Sequence, residues 1–92
     1  MKLSTVSIAV KGKVQGVFFR QSTKEKADEL GITGSVKNLA DGSVEIIATG
    51  TDIQLAALEE WCRHGPRRAE VETIEITPLP LSESTHFIVE RK

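Results

Sequence analysis

The stretch GKVQGVFFR, residues 12–20, decides the fold, because it joins a run with strand periodicity to one with helix periodicity. On its amino side Val6, Ile8 and Val10 alternate with Ser7, Ala9 and Lys11, the period of two of a strand with one buried face. On its carboxyl side Phe19, Thr23, Ala27 and Leu30 recur about every four residues, which gathers them on one side of a helix. Gly31 is suited to end that helix with a positive φ. A strand that passes through glycines into a helix leaves several backbone N–H groups unpartnered, since the first four of any helix lack an internal acceptor. With the positive end of the helix dipole they make a site for an anion. Gly12 and Gly16 are expected to curl the loop and let the anion approach, and Arg20 to add a planar two-pronged donor. The spacing alone equally supports a plain reading, in which the glycines form a tight turn, Phe18 and Phe19 fill the core and Arg20 is solvated.

Further along, residues 32–38 read as a second strand, Asp41-Gly42 as the turn of a hairpin, and Val44, Ile46 and Ala48 as the third strand. Thr51 or Asp52 can cap a second helix whose apolar face is Leu55, Leu58, Trp61 and Cys62, stopped by Gly65-Pro66. Val71, Ile74 and Ile76 suggest a fourth strand. Val71 is out of phase with the other two, which implies a bulge or an edge position, and Pro78 and Pro80 are expected to break the strand. Phe87 and Val89 alternate with His86, Ile88 and Glu90 in a short closing strand. The order β-α-β-β-α-β plus one strand predicts an α+β, ferredoxin-like split βαβ sandwich, with a mostly antiparallel sheet and two helices on one face. At 92 residues the chain reads as one domain, 1–92, with no repeats or linkers.

Composition narrows the function. A net charge of -1 lacks the basic excess of a general nucleic-acid binder, and with no tyrosine and three phenylalanines there are few platforms for stacking bases. The amino-terminal residues lack the unbroken apolar region of a signal peptide, and no run reaches membrane-spanning length. The lone Cys62 cannot form an intrachain disulfide, so the cytoplasm is the expected location. A monomer is the simplest expectation for the oligomeric state. The loop is neither a Walker A motif, having no Lys-Ser/Thr pair after Gly16, nor a dinucleotide-binding GxGxxG. His64 and His86 lie far apart with a single cysteine for company, so no metal site is expected. Cys62 reads as core rather than nucleophile, and Arg67 and Arg68 as a small basic pair, either solvated or able to steer an acidic substrate.

Four blocks then occur in order: V-x-G-x-V-Q-G-V-x-F-R at residues 10–20, Gly31-x-x-Gly34-x-Val36-x-Asn38, Asp41-Gly42-Ser43-Val44-Glu45, and Gly65-Pro66-x-x-Ala69-x-Val71. Together they strongly resemble the acylphosphatase family, over about residues 6–89. The resemblance implies hydrolysis of acyl phosphates, the mixed anhydrides of a carboxylic and phosphoric acid, on a ferredoxin-like fold. It implies a phosphate-binding loop at Lys13, Val14, Gln15, Gly16, Val17, Phe18 and Phe19, a substrate-binding arginine at Arg20 and a water-positioning asparagine at Asn38. The chemistry then implies no cofactor, a small-molecule substrate, and inorganic phosphate as product and competitor. Ser35 stands where many members of the family carry an aromatic residue. A non-catalytic anion-binding or regulatory module is the other reading of the same loop, since fold does not fix function.

Overall fold

The computed structural model describes residues 2–91. Its elements are β1 (Ser4–Lys13), α1 (Phe19–Leu30), β2 (Thr33–Asn38), β3 (Val44–Gly50), α2 (Asp52–His64), β4 (Glu70–Leu79) and β5 (Phe87–Val89). The sheet order is β4-β1-β3-β2-β5, antiparallel throughout except that β5 runs parallel to β2. This is the ferredoxin-like arrangement expected, with one further strand at the edge.

The β1/β3 register sets Ala48 opposite Val6, Ile46 opposite Ile8 and Val44 opposite Val10. On that face of the sheet Ile8, Val10, Val36, Val44, Ile46 and Phe87 are buried in one cluster with Phe19 and Ala27 of α1 and Leu55, Leu58 and Cys62 of α2. Each large side chain buried there contributes about 1.5–3 kcal/mol, which is what holds two short helices to the sheet. The Phe19 and Trp61 rings meet at 5.5 Å, tilted by 56°, and so join the two helices. Thr51 caps α2 through a reciprocal capping box with Gln54. Gly31 closes α1 as expected, with its N–H on the Ala27 and Asp28 carbonyls.

Of the expectations for β4, the bulge and the edge position are both met, and the break at Pro78 needs revision. Its pairing with β1 slips by one residue between Lys11 and Gly12, where Thr73 and then Val71 are the partners, so Glu72 is the extra residue of a bulge. That slip returns Val71 to the face of Ile74 and Ile76, and β4 is also an edge strand. Pro78 does not break it: the strand runs to Leu79, with Pro78 opposite Val6, because an edge strand can direct a missing N–H away from the ladder. Gly12 has a different role from the one its sequence suggests. It lies inside β1 at φ +129°, facing the bulge, where a Cβ would stand 2.3 Å from the Glu70 carbonyl oxygen and 2.8 Å from the Glu72 nitrogen. It accommodates the bulge, and the curling of the loop falls to residues beyond it.

Strand direction places the site. β1 and β2 both run antiparallel to β3, and β5 runs parallel to β2, so β1, β2 and β5 all finish at the same end of the sheet. The loop after β1, Asn38 at the end of β2 and the residues after β5 therefore meet there. Ser35, paired with Ile47 and with exposed Ile88, lies on the helix-free face, opposite to Val36.

Candidate active site

The loop between β1 and α1 is fastened from below and open above. Val14 and Val17 are buried, which fixes its two ends in the core, and Phe19 is buried as the first residue of α1. Phe18 is not core: it is 75% exposed and adopts the left-handed conformation, φ 62° and ψ 26°. It is the one non-glycine with positive φ among the described residues, a geometry that costs a residue with a side chain about 1–2 kcal/mol. With Gly16 at φ 76°, the sign of φ alternates from Gln15 to Phe18. Alternation of that kind turns successive peptide N–H groups toward one side and forms a concavity for an anion.

The start of α1 continues that concavity. Phe18 supplies no capping hydrogen bond and the first turn holds no acidic residue, whereas α2 has both a full capping box and Asp52. A helix start left without either keeps its N–H groups and its partial positive charge for something else. Arg20, the second residue of α1, donates from Nη1 to the Glu90 carbonyl at 3.0 Å, which steadies the guanidinium on the backbone just past β5.

A cleft of about 410 Å³ opens over this region. Val14, Gly16, Phe18 and Phe19 line it from the loop side, Arg20 and Gln21 from α1, Asn38 from the end of β2, and Val89 and Arg91 from the far wall. Among the described residues no acidic side chain lines it, and its charged side chains are two arginines. The structure thus brings together Arg20, Asn38 and four of the seven loop residues expected from the sequence. Lys13 is the exposed last residue of β1, paired with Glu70 in the ladder. Val17 points into the core, and the Gln15 side chain turns to the β2/β3 turn, donating to the Leu39 carbonyl at 2.8 Å and the Ser43 carbonyl at 2.9 Å. That turn is itself braced by Asp41, whose carboxyl accepts from the Ser43 hydroxyl at 2.6 Å and the Ser43 N–H at 2.9 Å. These bonds hold the Asp41 carboxyl below its ordinary pKa.

Val89, Arg91 and Gln21 join the cleft without having been singled out in the sequence. Only the parallel pairing of β5 with β2 brings the first two there, and no local motif signals it. The other reactive side chains lie elsewhere. Cys62 is buried in α2, and desolvation pushes its thiol up to about 12, so it is held as a neutral core group. His64 ends α2 with Nε2 3.2 Å from Glu60, and His86 is exposed just before β5 rather than within it. Among the described residues no three His, Cys, Asp or Glu side chains gather as metal ligands, and no helix is long and apolar enough to cross a membrane.

Comparison with known proteins points the same way as the loop. The Acylphosphatase family model matches residues 6–89. An acylphosphatase of Marinobacter nauticus is 51% identical over 83 residues, covering 90% of either chain. Among solved structures, an acylphosphatase from Coxiella burnetii superposes with a TM-score of 0.93 at 40% identity, over 96% of this chain and 93% of its own. One from Bacillus subtilis gives 0.92 at 34%, over 98% and 100%. A β-α-β-β-α-β fold, an uncapped helix start beside Arg20 and Asn38, and these matches along nearly the whole chain place it in the acylphosphatase family, enzymes that hydrolyse the carboxyl–phosphate bond of acyl phosphates.

Proposed function

We propose that the cleft is where the hydrolysis occurs, with the loop N–H groups and Arg20 holding the phosphoryl group and Asn38 placing the attacking water. The observation that supports this most is the meeting of Arg20 and Asn38, 18 positions apart in sequence, beside a helix start that nothing caps.

The reaction asks little of side-chain acids and bases. In phosphoryl transfer negative charge spreads over the equatorial oxygens, so catalysis is mostly positioning and charge stabilisation. Fixed N–H groups and an arginine supply both without reorganising. Water forms a bond to phosphorus as the bond from phosphorus to the acyl oxygen breaks. The electron pair leaves on a carboxylate whose conjugate acid has a pKa of about 4, so no general acid is required. The Asn38 amide can accept one hydrogen bond from the water and donate another to it, which sets its direction but does not deprotonate it. Its proton passes to a phosphate oxygen or to solvent. No step calls for a metal or an organic cofactor. Phe18, at the mouth, offers apolar surface to the acyl group. Inorganic phosphate fits the same cradle and competes with substrate. A cytoplasmic location accords with the single buried cysteine, and a monomer is the simplest state.

The test is phosphate release from benzoyl phosphate in the presence of EDTA, corrected for spontaneous hydrolysis, with Asn38→Ala alongside. The expected outcome is metal-free turnover by the wild type and a kcat lowered far more than KM in the variant. A variant whose KM alone changes assigns Asn38 to substrate binding. A folded wild type no faster than the spontaneous rate leaves an anion-binding module instead.

A further inference from the structure

We infer that Gln15 acts as a positioning residue, whose side chain sets the distance between the anion cradle and Asn38. The inference rests on the role assigned to Asn38 above and concerns a group that faces away from the anion. Its Nε2 has two protons, and both are used: one on the Leu39 carbonyl at 2.8 Å, one on the Ser43 carbonyl at 2.9 Å, across 24 and 28 positions of sequence.

The choice of those two carbonyls carries the reasoning. Asn38 and Val44 form the last pair of the β2/β3 ladder, and Leu39 and Ser43 are the next residues outward on either side. The same carbonyls already accept backbone N–H groups, Leu39 from Gly42 at 3.1 Å and Ser43 from Leu39 at 2.9 Å. Gln15 is therefore not rescuing a bare carbonyl, and a stable turn does not need it. What its two bonds add is a rigid strut from the residue before Gly16, where the loop begins to curl, to both sides of the strand end that bears Asn38. Val14 and Val17 anchor the loop to the core and Arg20 anchors α1 to the backbone after β5, while the strut is the polar link from loop to hairpin. In-line attack is sensitive to such a link, since a displacement of about 1 Å in a positioning group can cost on the order of a hundredfold in rate.

Loss of the strut should therefore lower kcat through Asn38 and leave anion affinity nearly intact. The test uses Gln15→Met, which keeps the length and bulk of the side chain and removes both donors, in a cycle with Asn38→Ala, reading kcat for benzoyl phosphate and the inhibition constant of inorganic phosphate. The expected result is a kcat lowered roughly ten- to a hundredfold by Gln15→Met, with the inhibition constant within about threefold of wild type and no further loss when the substitution is made in Asn38→Ala. Equal loss of kcat in both backgrounds, or a phosphate constant that rises as kcat falls, overturns the inference and leaves the reading of Asn38 standing. An Asn38→Ala enzyme with normal kcat overturns both. Should Gln15→Met not fold, Gln15→Glu supplies the readout. Its neutral acid can donate one of the two bonds and its carboxylate neither, so its kcat relative to wild type should rise as pH falls through the glutamate titration, and a constant ratio overturns the strut.

Discussion

Replacing Arg20 by lysine keeps the charge at the start of α1 and removes the geometry. Arginine has five N–H donors in a fixed plane, and one of them is spent on the Glu90 carbonyl at 3.0 Å. The rest can still present two parallel donors to a pair of phosphoryl oxygens. A lysine has three donors on a single atom. It cannot hold the backbone after β5 and also make two parallel bonds, so at least one charge-assisted bond to substrate is lost. Such a bond is worth about 1.5–3 kcal/mol, which converts to a fall of roughly ten- to 150-fold in kcat/KM. The assay is phosphate release from benzoyl phosphate over a range of substrate concentrations, with inorganic phosphate as competitor to report affinity separately. Both kcat/KM and phosphate affinity should fall, and a melting curve should confirm that the variant is folded. A folded Arg20→Lys enzyme whose kcat/KM stays within threefold of wild type would refute the reasoning, because charge alone would then suffice and the planar fork would be irrelevant.

Gly12→Ala should destabilise the protein by at least about 2 kcal/mol, a fall in Tm of about 8–16 °C, since a Cβ there meets the Glu70 and Glu72 backbone at a φ of +129°. Thermal unfolding checks this, and an unchanged Tm would mean that the bulge yields without cost. For Cys62, whose folded pKa is raised from 9.0 to about 12, the unfolded chain releases its proton first. Its stability contribution is therefore intact below pH 9 and declines as pH climbs from 9 toward 12. Urea unfolding across that window should show a steeper alkaline loss in wild type than in Cys62→Ala, and parallel slopes would contradict it.

Much of this is visible in the sequence because local signals and tertiary packing agree. Ile8 and Val10 alternate and are buried, and Phe19, Thr23 and Ala27 share a helix face and are buried, so period and burial tell one story. Where they part company, a long-range constraint is responsible. Val71 looks out of phase until a bulge, permitted by a glycine some 60 positions earlier, returns it to its face. Pro78 looks like a terminator until its strand proves to be an edge. Phe18 looks like core beside Phe19, yet the left-handed backbone that curls the loop turns its ring outward. Gln15 sits within the family's loop pattern, but its partners lie in another turn. Arg20 and Asn38 are legible as a pair through the family's blocks, whereas Val89 and Arg91 have no pattern of their own and reach the cleft only through strand order.

Strand direction has a kinetic consequence as well. The cleft takes its walls from the loop after β1, the end of β2 and the backbone after β5, and the Arg20 to Glu90 bond alone closes a circuit of 70 positions. A hairpin or a β1–α1 fragment formed early in folding holds only part of that enclosure and gives an anion little to grip. Phosphate that needs all three walls finds its site only after they have docked, late on the path to the native state. Bound as proposed, it should act as a brake on opening rather than as a template for assembly, lengthening the lifetime of the native fold while the rate of refolding stays as it is without ligand.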